Sequence, residues 1–453
     1  MPKKTTEESS FRDRPINIDA SGKRKWVYAR QPKGKWYMRR TLVAWMVLVF
    51  LAIAPFIRIK GLPFMKFDIP QGEFYLFGNL LYTQDTYLLA IIMAIAVVSV
   101  VLFTVAFGRL FCGWLCPQNI FLEMVYRRIE YLFMGNYRKG KPKEPGKFKR
   151  LGMHLSFMLI SVVFTNVFLM WFIGPEGLAR LIQEPVQENL KGFSIMLGIS
   201  AFYYWIYSNF REQVCTMICP YGRMQGVLLD SQSISVIYDY KRGEPRGAKN
   251  VGDCIDCSSC LAVCPTGIDI RNGTQLECIH CTACIDECNS VMKRIQKPYN
   301  LIRYDSVKGI ETGKRSVFTT RTLAYAGVLF VLFIFLAFTV SRRTSLDVSL
   351  LRMPGSLYQQ PDEQTVMNLY NLKLINKSEN ARNIEVKLLS PEGIVEVAGK
   401  PLLIESRGHV EAVLMVKINK ATITGKNTDL RIGFFDNQEL LETTTINFIG
   451  PTK

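Results

Sequence analysis

The sequence predicts a multi-domain membrane protein with a helical transmembrane bundle of about five spans, an α+β domain rich in cysteine and a C-terminal all-β sandwich of immunoglobulin type. Five stretches are apolar enough and long enough to cross a bilayer as helices. Eight of the twelve cysteines lie within residues 254–288. The residues after 341 contain no cysteine and alternate between apolar and polar positions. The predicted parts are a basic N-terminal segment (1–40), a four-helix membrane domain (41–209), a cysteine-rich region (210–322), a fifth span (323–341) and the sandwich (342–453).

The apolar stretches are the first evidence for a membrane protein. A helical span needs about 20 residues. The fourth stretch is short and ends in aromatic residues, which suit a membrane interface. Lys and Arg outnumber Asp and Glu by 56 to 38 in a chain that is 49% hydrophobic. This combination favours the lipid bilayer as partner, and we expect no nucleic-acid partner. The stretches lie near residues 41–58, 86–107, 152–173, 193–209 and 323–341.

The charges between the stretches predict an orientation. Residues 1–40 hold twelve basic and four acidic residues, and residues 108–150 hold ten and three. Residues 58–85 hold three of each, and residues 175–191 hold two basic and three acidic residues. Because basic loops stay on the cytoplasmic side, the N-terminus and the cysteine-rich region are expected in the cytosol. The tail is then expected outside the membrane.

The cysteine-rich region repeats one spacing twice. Both runs read Cys-x2-Cys-x2-Cys-x3-Cys, with proline after the first run and Asn289 after the second. In two-cluster ferredoxins, the fourth cysteine of each run ligates the other cluster. The sequence therefore predicts two [4Fe–4S] clusters. One is expected on Cys254, Cys257, Cys260 and Cys288, and the other on Cys278, Cys281, Cys284 and Cys264.

Zinc is the alternative metal for paired Cys-x-x-Cys motifs, but a zinc site does not require the fourth cysteine that recurs here. Because structural disulfides are rare in the reducing cytosol, a disulfide framework is also disfavoured. His280 lies inside the second run and is expected to modulate that cluster by hydrogen bonding.

The other four cysteines form two Cys-x3-Cys-Pro motifs, one after the second span and one after the fourth. Both spans are predicted to run towards the cytosol, so the four thiols are expected to converge at the cytoplasmic membrane surface. Such thiols bind Cu(I), zinc or an iron–sulfur centre, or cycle between dithiol and disulfide. The alternative is that they are buried, inert cysteines. This candidate copper or redox thiolate site consists of Cys112, Cys116, Cys215 and Cys219.

Other cofactors are disfavoured by what the sequence lacks. Its three histidines, His154, His280 and His409, do not face one another within one pair of spans, which argues against a bis-histidine haem. Neither a phosphate-binding loop nor a Gly-x-Gly-x-x-Gly fingerprint is present. Electrons are therefore expected from another protein or from quinol, and the sequence does not identify the donor.

With these motifs in place, the chain resembles the FixG/CcoG-type cytochrome c oxidase accessory proteins of bacteria. The resemblance rests on "GLPFMKFDIPQGEFYLFG", "FGRLFCGWLCPQN", "VCTMICPYGRMQ", the eight-cysteine run, the fifth span and the β-sandwich tail. It implies a protein of the bacterial cytoplasmic membrane with a cytoplasmic ferredoxin domain and a periplasmic C-terminal domain. It also implies a partner, a cbb-type haem–copper oxidase or its copper-delivery factors.

The resemblance implies that the protein supports assembly of that oxidase by reducing Cu(II) to Cu(I). Two alternatives stay open. One is a quinol-linked electron conduit to a soluble partner. The other is a non-catalytic assembly scaffold, in which the sandwich binds the oxidase. The sequence predicts an electron-transfer protein and leaves Cu(II) reductase activity as a hypothesis.

Overall fold

The structure is a computed structural model of the chain. It describes residues 26–450, except 70–71, 83–84, 136–145, 248–250, 315, 343, 355–357, 363, 379, 399–401, 407, 424 and 426. The chain forms two compact units, Met1–Leu336 and Ala337–Lys453. Residues 1–25 of the predicted basic N-terminal segment lie outside the described residues.

Four helices of the described residues are long and apolar enough to span a bilayer, which confirms four of the predicted spans. The third of them extends well beyond the predicted stretch. It bends at Gly174, which has a φ of 75° and is followed by Pro175. The four are Lys35–Phe56, Thr86–Phe107, Lys147–Gln183 and Thr320–Ser341.

The fourth predicted stretch also forms a helix, but a shorter one. Helix Leu190–Trp205 has 16 residues and continues into a π-helical turn, Ile206–Phe210. At about 1.5 Å per residue, its α-helical part falls short of the roughly 30 Å hydrocarbon core. The prediction of about five spans thus corresponds to four full-length helices and one shorter helix.

The first and second spans are joined by short antiparallel strands that the sequence analysis did not predict. One sheet pairs Arg58–Ile59 with Leu62–Pro63, and the other contains Met65–Asp68, Glu73–Leu76 and Asn79–Tyr82. We call these strands β1 to β5 in chain order.

The cysteine-rich region is a small α+β fold packed on the segment that follows the second span. Strands β6 (Ser235–Tyr238) and β7 (Ile302–Asp305) pair antiparallel. Buried Ile285, Met292 and Leu301 pack with cluster-motif cysteines in one hydrophobic core. Its short helices are Tyr240–Gly243, Ser259–Ala262, Ala283–Arg294 and Val307–Thr312.

Short helical segments connect the membrane helices to the cysteine-rich region. Three of them are π-helical turns: Phe121–Tyr126, Ile206–Phe210 and Val214–Ile218. Such turns are rare and are frequently found at functional sites. The remaining short helices are Leu110–Trp114, Pro117–Ile120, Arg127–Met134 and Pro220–Leu228.

The C-terminal unit is the predicted all-β sandwich. Its strands β8 to β16 are Leu346–Arg352, Gln359–Asp362, Thr365–Asn376, Arg382–Ser390, Gly393–Ala398, Leu402–Ile404, His409–Asn419, Asn427–Asp436 and Glu439–Ile449. One sheet has the order β12-β14-β10-β8, with β9 paired to β10, and the other has the order β13-β11-β15-β16. Tyr370 in β10 connects the two sheets, because its hydroxyl donates to the Asn447 carbonyl of β16 at 2.8 Å.

Candidate electron-transfer site

The structure brings the first predicted set of four cysteines together around one cavity, lined also by Tyr238, Arg271 and Leu301. Burial, together with the neighbouring thiols Cys260, Cys254 and Cys257, raises the pKa of Cys288 to about 12. Cys288 thus joins the three cysteines of the other run, as the spacing predicts. Cys257 is the exposed member of this set.

The second predicted set, Cys264, Cys278, Cys281 and Cys284, lines a second cavity. Burial raises the pKa of Cys284, and the thiols Cys281, Cys278 and Cys264 raise it further. Cys260 of the first set also lines this cavity, so the two cavities are neighbours.

The two cysteine loops have the same backbone geometry. Each has positive φ two and four residues after its first cysteine: 54° at both Asp256 and Ser258, and 52° at His280 and 66° at Thr282. Successive residues in such conformations turn their N–H groups inward and form concave anion sites, including iron–sulfur sites. A helix follows each loop, beginning at Ser259 and Ala283.

The two cavities fit a group larger than one metal ion. Within the described ranges, no three or more His, Cys, Asp or Glu side chains are grouped so that they could hold a single ion. A cubane cluster binds each thiolate to a different iron, so its ligands are spaced more widely than those of one zinc ion. Eight cysteines in two sets of four, each around a cavity, fit two [4Fe–4S] clusters.

The four remaining cysteines also lie together. Burial raises the pKa of Cys215, and its neighbours Cys116, Cys112 and Cys219 raise it further. Cys215 lies in the π-helical turn Val214–Ile218 and not in an ordinary α-helix. Cys116 and Cys219 instead precede the helices Pro117–Ile120 and Pro220–Leu228, with proline at the first helical position.

The first Cys-x3-Cys-Pro motif packs directly against the second cysteine loop. Cys112 contacts a hydrophobic cluster that contains Ile279 and Cys281. A Cβ added to Gly113 would lie 2.3 Å from the Ile279 carbonyl oxygen, so only glycine permits this approach. The Cys112 thiol also donates to the Gln225 Oε1 atom at 3.2 Å.

His280 joins the two segments. Its Nδ1 atom accepts a 3.0 Å hydrogen bond from the Arg109 backbone N–H. Burial, with a smaller contribution from the Arg109 charge, lowers the pKa of His280 to about 3, so the ring is neutral. Gly108 ends the second span with a φ of 58°, and a Cβ there would lie 2.6 Å from the His280 ring. His280 therefore faces the end of the second span as well as the cysteine loop.

Residues 30–36 lie on the cysteine-rich region, a contact that the sequence did not predict. The Arg30 backbone N–H donates to the Ala262 carbonyl at 2.8 Å, and the Arg30 side chain pairs with Glu287. Trp36 packs edge-on against Trp114 and Tyr304. No local pattern marks these contacts, because their partners are more than 70 residues away in sequence.

A buried ionic network lies beside the cysteines. Arg211 donates to both Glu130 carboxylate oxygens at 2.7 and 2.8 Å. Arg127 lies 3.0 Å from Glu123 and donates at 3.5 Å to the Pro265 carbonyl, directly after Cys264. This network connects the segment before Cys215 to the second cysteine set.

The other two histidines lie outside the cysteine-rich region. His154, in helix Lys147–Gln183, contacts the Tyr204 hydroxyl at 3.1 Å. His409 lies in the C-terminal unit, at the start of strand β14.

Apolar spanning helices, ferredoxin-type cysteine loops and a β-sandwich together define a membrane-bound iron–sulfur electron-transfer protein. Three family models match the chain. A 4Fe-4S dicluster domain matches residues 210–250 and 244–307, and a 4Fe-4S binding domain matches residues 89–141. The IG-like fold at the C-terminal of FixG matches residues 336–451.

Curated relatives extend over most of the chain. Protein RdxA of Cereibacter sphaeroides is 30% identical over 446 residues, covering 90% of this chain and 93% of the relative. The nitrogen fixation protein FixG of Rhizobium meliloti is 28% identical, covering 83% and 82%. The ferredoxin-type protein NapH of Escherichia coli is 25% identical, covering 43% and 64%. This chain belongs to the family of FixG and RdxA, and the resemblance seen in the sequence is confirmed.

Proposed function

We propose that this FixG-type protein delivers single electrons to Cu(II) at its four membrane-face cysteines and thereby supports assembly of a cbb-type haem–copper oxidase. The observation that carries the proposal is the contact between Cys112 and the second cysteine loop. Electron transfer depends on a short path, and this contact joins the two cysteine sites directly.

Two [4Fe–4S] clusters would be held by the eight ferredoxin cysteines. One would be bound by Cys254, Cys257, Cys260 and Cys288, and the other by Cys264, Cys278, Cys281 and Cys284. When bound, such clusters accept and release one electron at a time. The protein would shield the clusters from water, since four of the eight cysteines are buried: Cys254, Cys260, Cys281 and Cys288.

The proposed reaction at the other four cysteines is Cu(II) plus one electron to give Cu(I). No bond within the substrate breaks and no proton is required. Soft thiol ligands favour Cu(I), so a pair of thiols among Cys112, Cys116, Cys215 and Cys219 would stabilise the product.

The proposed topology follows the charge distribution of the sequence. The N-terminus and the cysteine-rich region would lie in the bacterial cytosol, where a soluble donor would reach exposed Cys257. The C-terminal sandwich, residues 342–453, would lie in the periplasm.

The test uses a double variant, Cys215→Ser with Cys219→Ser. We expect both clusters to stay bound and Cu(II) reduction to fall at least about tenfold, because the soft ligands are lost. Ile218→Val is the matched control, since this exposed residue lies between the two cysteines. Unchanged Cu(II) reduction in the double variant would refute the copper site.

The likeness to the ferredoxin-type protein NapH favours a second candidate, an electron conduit to a soluble partner, for which we propose a quinol as donor. That candidate predicts that a quinol reduces the clusters in membranes and that removing copper changes nothing. Clusters that stay oxidised with excess quinol under anaerobic conditions would exclude it.

A further inference from the structure

Two buried arginines lie where the second cysteine loop meets the Cys112 motif. Arg40, in the first turns of the first span, is 3% exposed, and its Nε donates to the Gly113 carbonyl at 2.7 Å. Arg109 is 4% exposed, and its guanidinium donates to the Leu276 carbonyl. Gly113 and Leu276 belong to the two segments that pack together.

Neither guanidinium forms an ion pair with a carboxylate of the described residues. Arg40 Nη2 and Arg109 Nε are also buried without a hydrogen-bond partner there. Burying an unpaired charge costs several kcal/mol or more, so buried charges are normally paired or bound to an ion. The two arginines therefore call for a negative charge beside them.

The second cysteine loop lies directly beside both guanidinium groups, and its thiolates would supply that charge. Arg40 donates to Gly113, and a Cβ at Gly113 would lie 3.2 Å from the Cys281 backbone nitrogen. Arg109 donates through its guanidinium to the Leu276 carbonyl, two residues before Cys278. The carboxylate of Glu123 is paired with Arg127 at 3.0 Å.

The first cysteine set has a different charge balance. Arg271 lines its cavity and is the cation that acts on Cys260. Its guanidinium pairs with Asp269 at 2.7 Å and also with Asp256. The positive charge at the first set is therefore compensated by carboxylates, whereas the positive charge at the second set is not.

We propose that Arg40 and Arg109 are the counter-charges of the second cysteine set. They raise the reduction potential of the second cluster, so that the transferred electron resides on the cluster that faces the Cys112 motif. The inference rests on the proposed two-cluster assignment and deepens it. Net charge around a cluster is one of the factors that set its reduction potential. An uncompensated cation stabilises the reduced, more negative form.

The experiment is a redox titration of the cluster-loaded, detergent-solubilised protein, followed by electron paramagnetic resonance. The signal that disappears in Cys284→Ser identifies the second cluster. We expect Arg109→Gln and Arg40→Gln each to shift the potential of the second cluster to more negative values, with the first cluster unchanged. Arg246→Gln is the control, because this partly exposed arginine is paired with Glu244.

Arg109→Lys and Arg40→Lys separate charge from shape. Both keep the positive charge, so we expect potentials close to that of the unaltered protein. A lysine variant that shifts as far as its glutamine counterpart would overturn the proposal, as would glutamine variants with unshifted potentials. If a glutamine variant fails to bind the second cluster, the corresponding lysine variant supplies the measurement: a wild-type potential supports the proposal and a lowered one overturns it.

The potentials are measured without copper, so this test is independent of the copper proposal. If the glutamine variants shift the potential but the unaltered protein does not reduce Cu(II), only the proposed function is contradicted. If the unaltered protein reduces Cu(II) but the glutamine variants leave the potential unshifted, only the role of the arginines is contradicted.

Discussion

Asp286 accepts a 2.8 Å hydrogen bond from the backbone N–H of Tyr37, although 249 residues separate them in sequence. The same carboxylate accepts a 3.2 Å hydrogen bond from the Trp36 N–H. Both donors lie in the first turn of the first span, whose N–H groups have no partner within the helix. A carboxylate from the second cysteine motif thus caps a membrane helix and ties the ferredoxin domain to it.

Asp286→Ala removes this cap. We expect a loss of about 1–2 kcal/mol, because the unpaired N–H groups and the helix dipole lose their acceptor. The measurement is the temperature at which cluster absorption is lost on heating. Asp286→Asn keeps an acceptor oxygen and should lower that temperature less. Equal temperatures for the alanine variant and the unaltered protein would argue against a docking role for Asp286.

Gly113→Ala tests the close approach of the Cys112 motif to the second cysteine loop. Alanine would ordinarily stabilise a helix by about 1 kcal/mol relative to glycine. Here its Cβ would meet the Ile279 carbonyl at 2.3 Å, so we expect slower Cu(II) reduction and earlier cluster loss. Gly198→Ala is the control, because no atom lies within 4 Å of a Cβ at that position. A stabilised Gly113→Ala protein with a normal rate would be inconsistent with the contact.

Cys264 and Cys288 test which cysteines share a cluster. Cys264→Ser is expected to eliminate the signal of the second cluster and spare the first, although Cys264 belongs to the first run. Cys288→Ser should do the reverse. The iron content of each variant should fall from about eight to about four atoms per chain. Loss of the first cluster in Cys264→Ser would contradict the exchange of ligands between the runs.

Alkylation of Cys112 tests its environment. Burial raises the pKa of this thiol to about 11, and only the thiolate reacts. In copper-free, cluster-loaded protein, its alkylation rate should rise about tenfold per pH unit up to about pH 11. The same cysteine in denatured protein should level off near its ordinary pKa of about 8.5. An early plateau in the folded protein would show an exposed thiol.

The raised pKa also has a consequence for stability. The folded state favours the neutral Cys112 thiol, so its contribution is fully present below the ordinary pKa and is lost as the pH rises through about 11. Copper-free protein should therefore become less stable over that range. Bound metal removes this dependence, because a coordinated thiol is already deprotonated.

The sequence predicted the parts of the molecule that depend on local patterns. Apolar length predicted the spans, the repeated cysteine spacing predicted which cysteines come together, and alternation after residue 341 predicted the sandwich. The pairing of Cys264 with Cys278 required one further rule, the exchange of fourth ligands between two runs.

Features that depend on distant contacts were not predictable in this way. Arg40 and Arg109 have the positions of ordinary charges that flank membrane spans, yet the fold buries both. Nothing in the sequence around Gly113 predicts that this residue must be glycine, because the requirement comes from the Ile279 carbonyl beside it. The π-helical turn at Cys215 likewise has no signature in the spacing of Cys215 and Cys219, which an ordinary helix would satisfy as well.

The most direct test of the account is the reoxidation of the reduced protein by Cu(II). The protein is reduced anaerobically, freed of reductant and mixed with Cu(II), while cluster absorption and a Cu(I)-specific chelator are followed together. The account predicts that the clusters reoxidise as Cu(I) appears, with one Cu(I) formed per electron lost. Clusters that stay reduced in the presence of Cu(II) would contradict it.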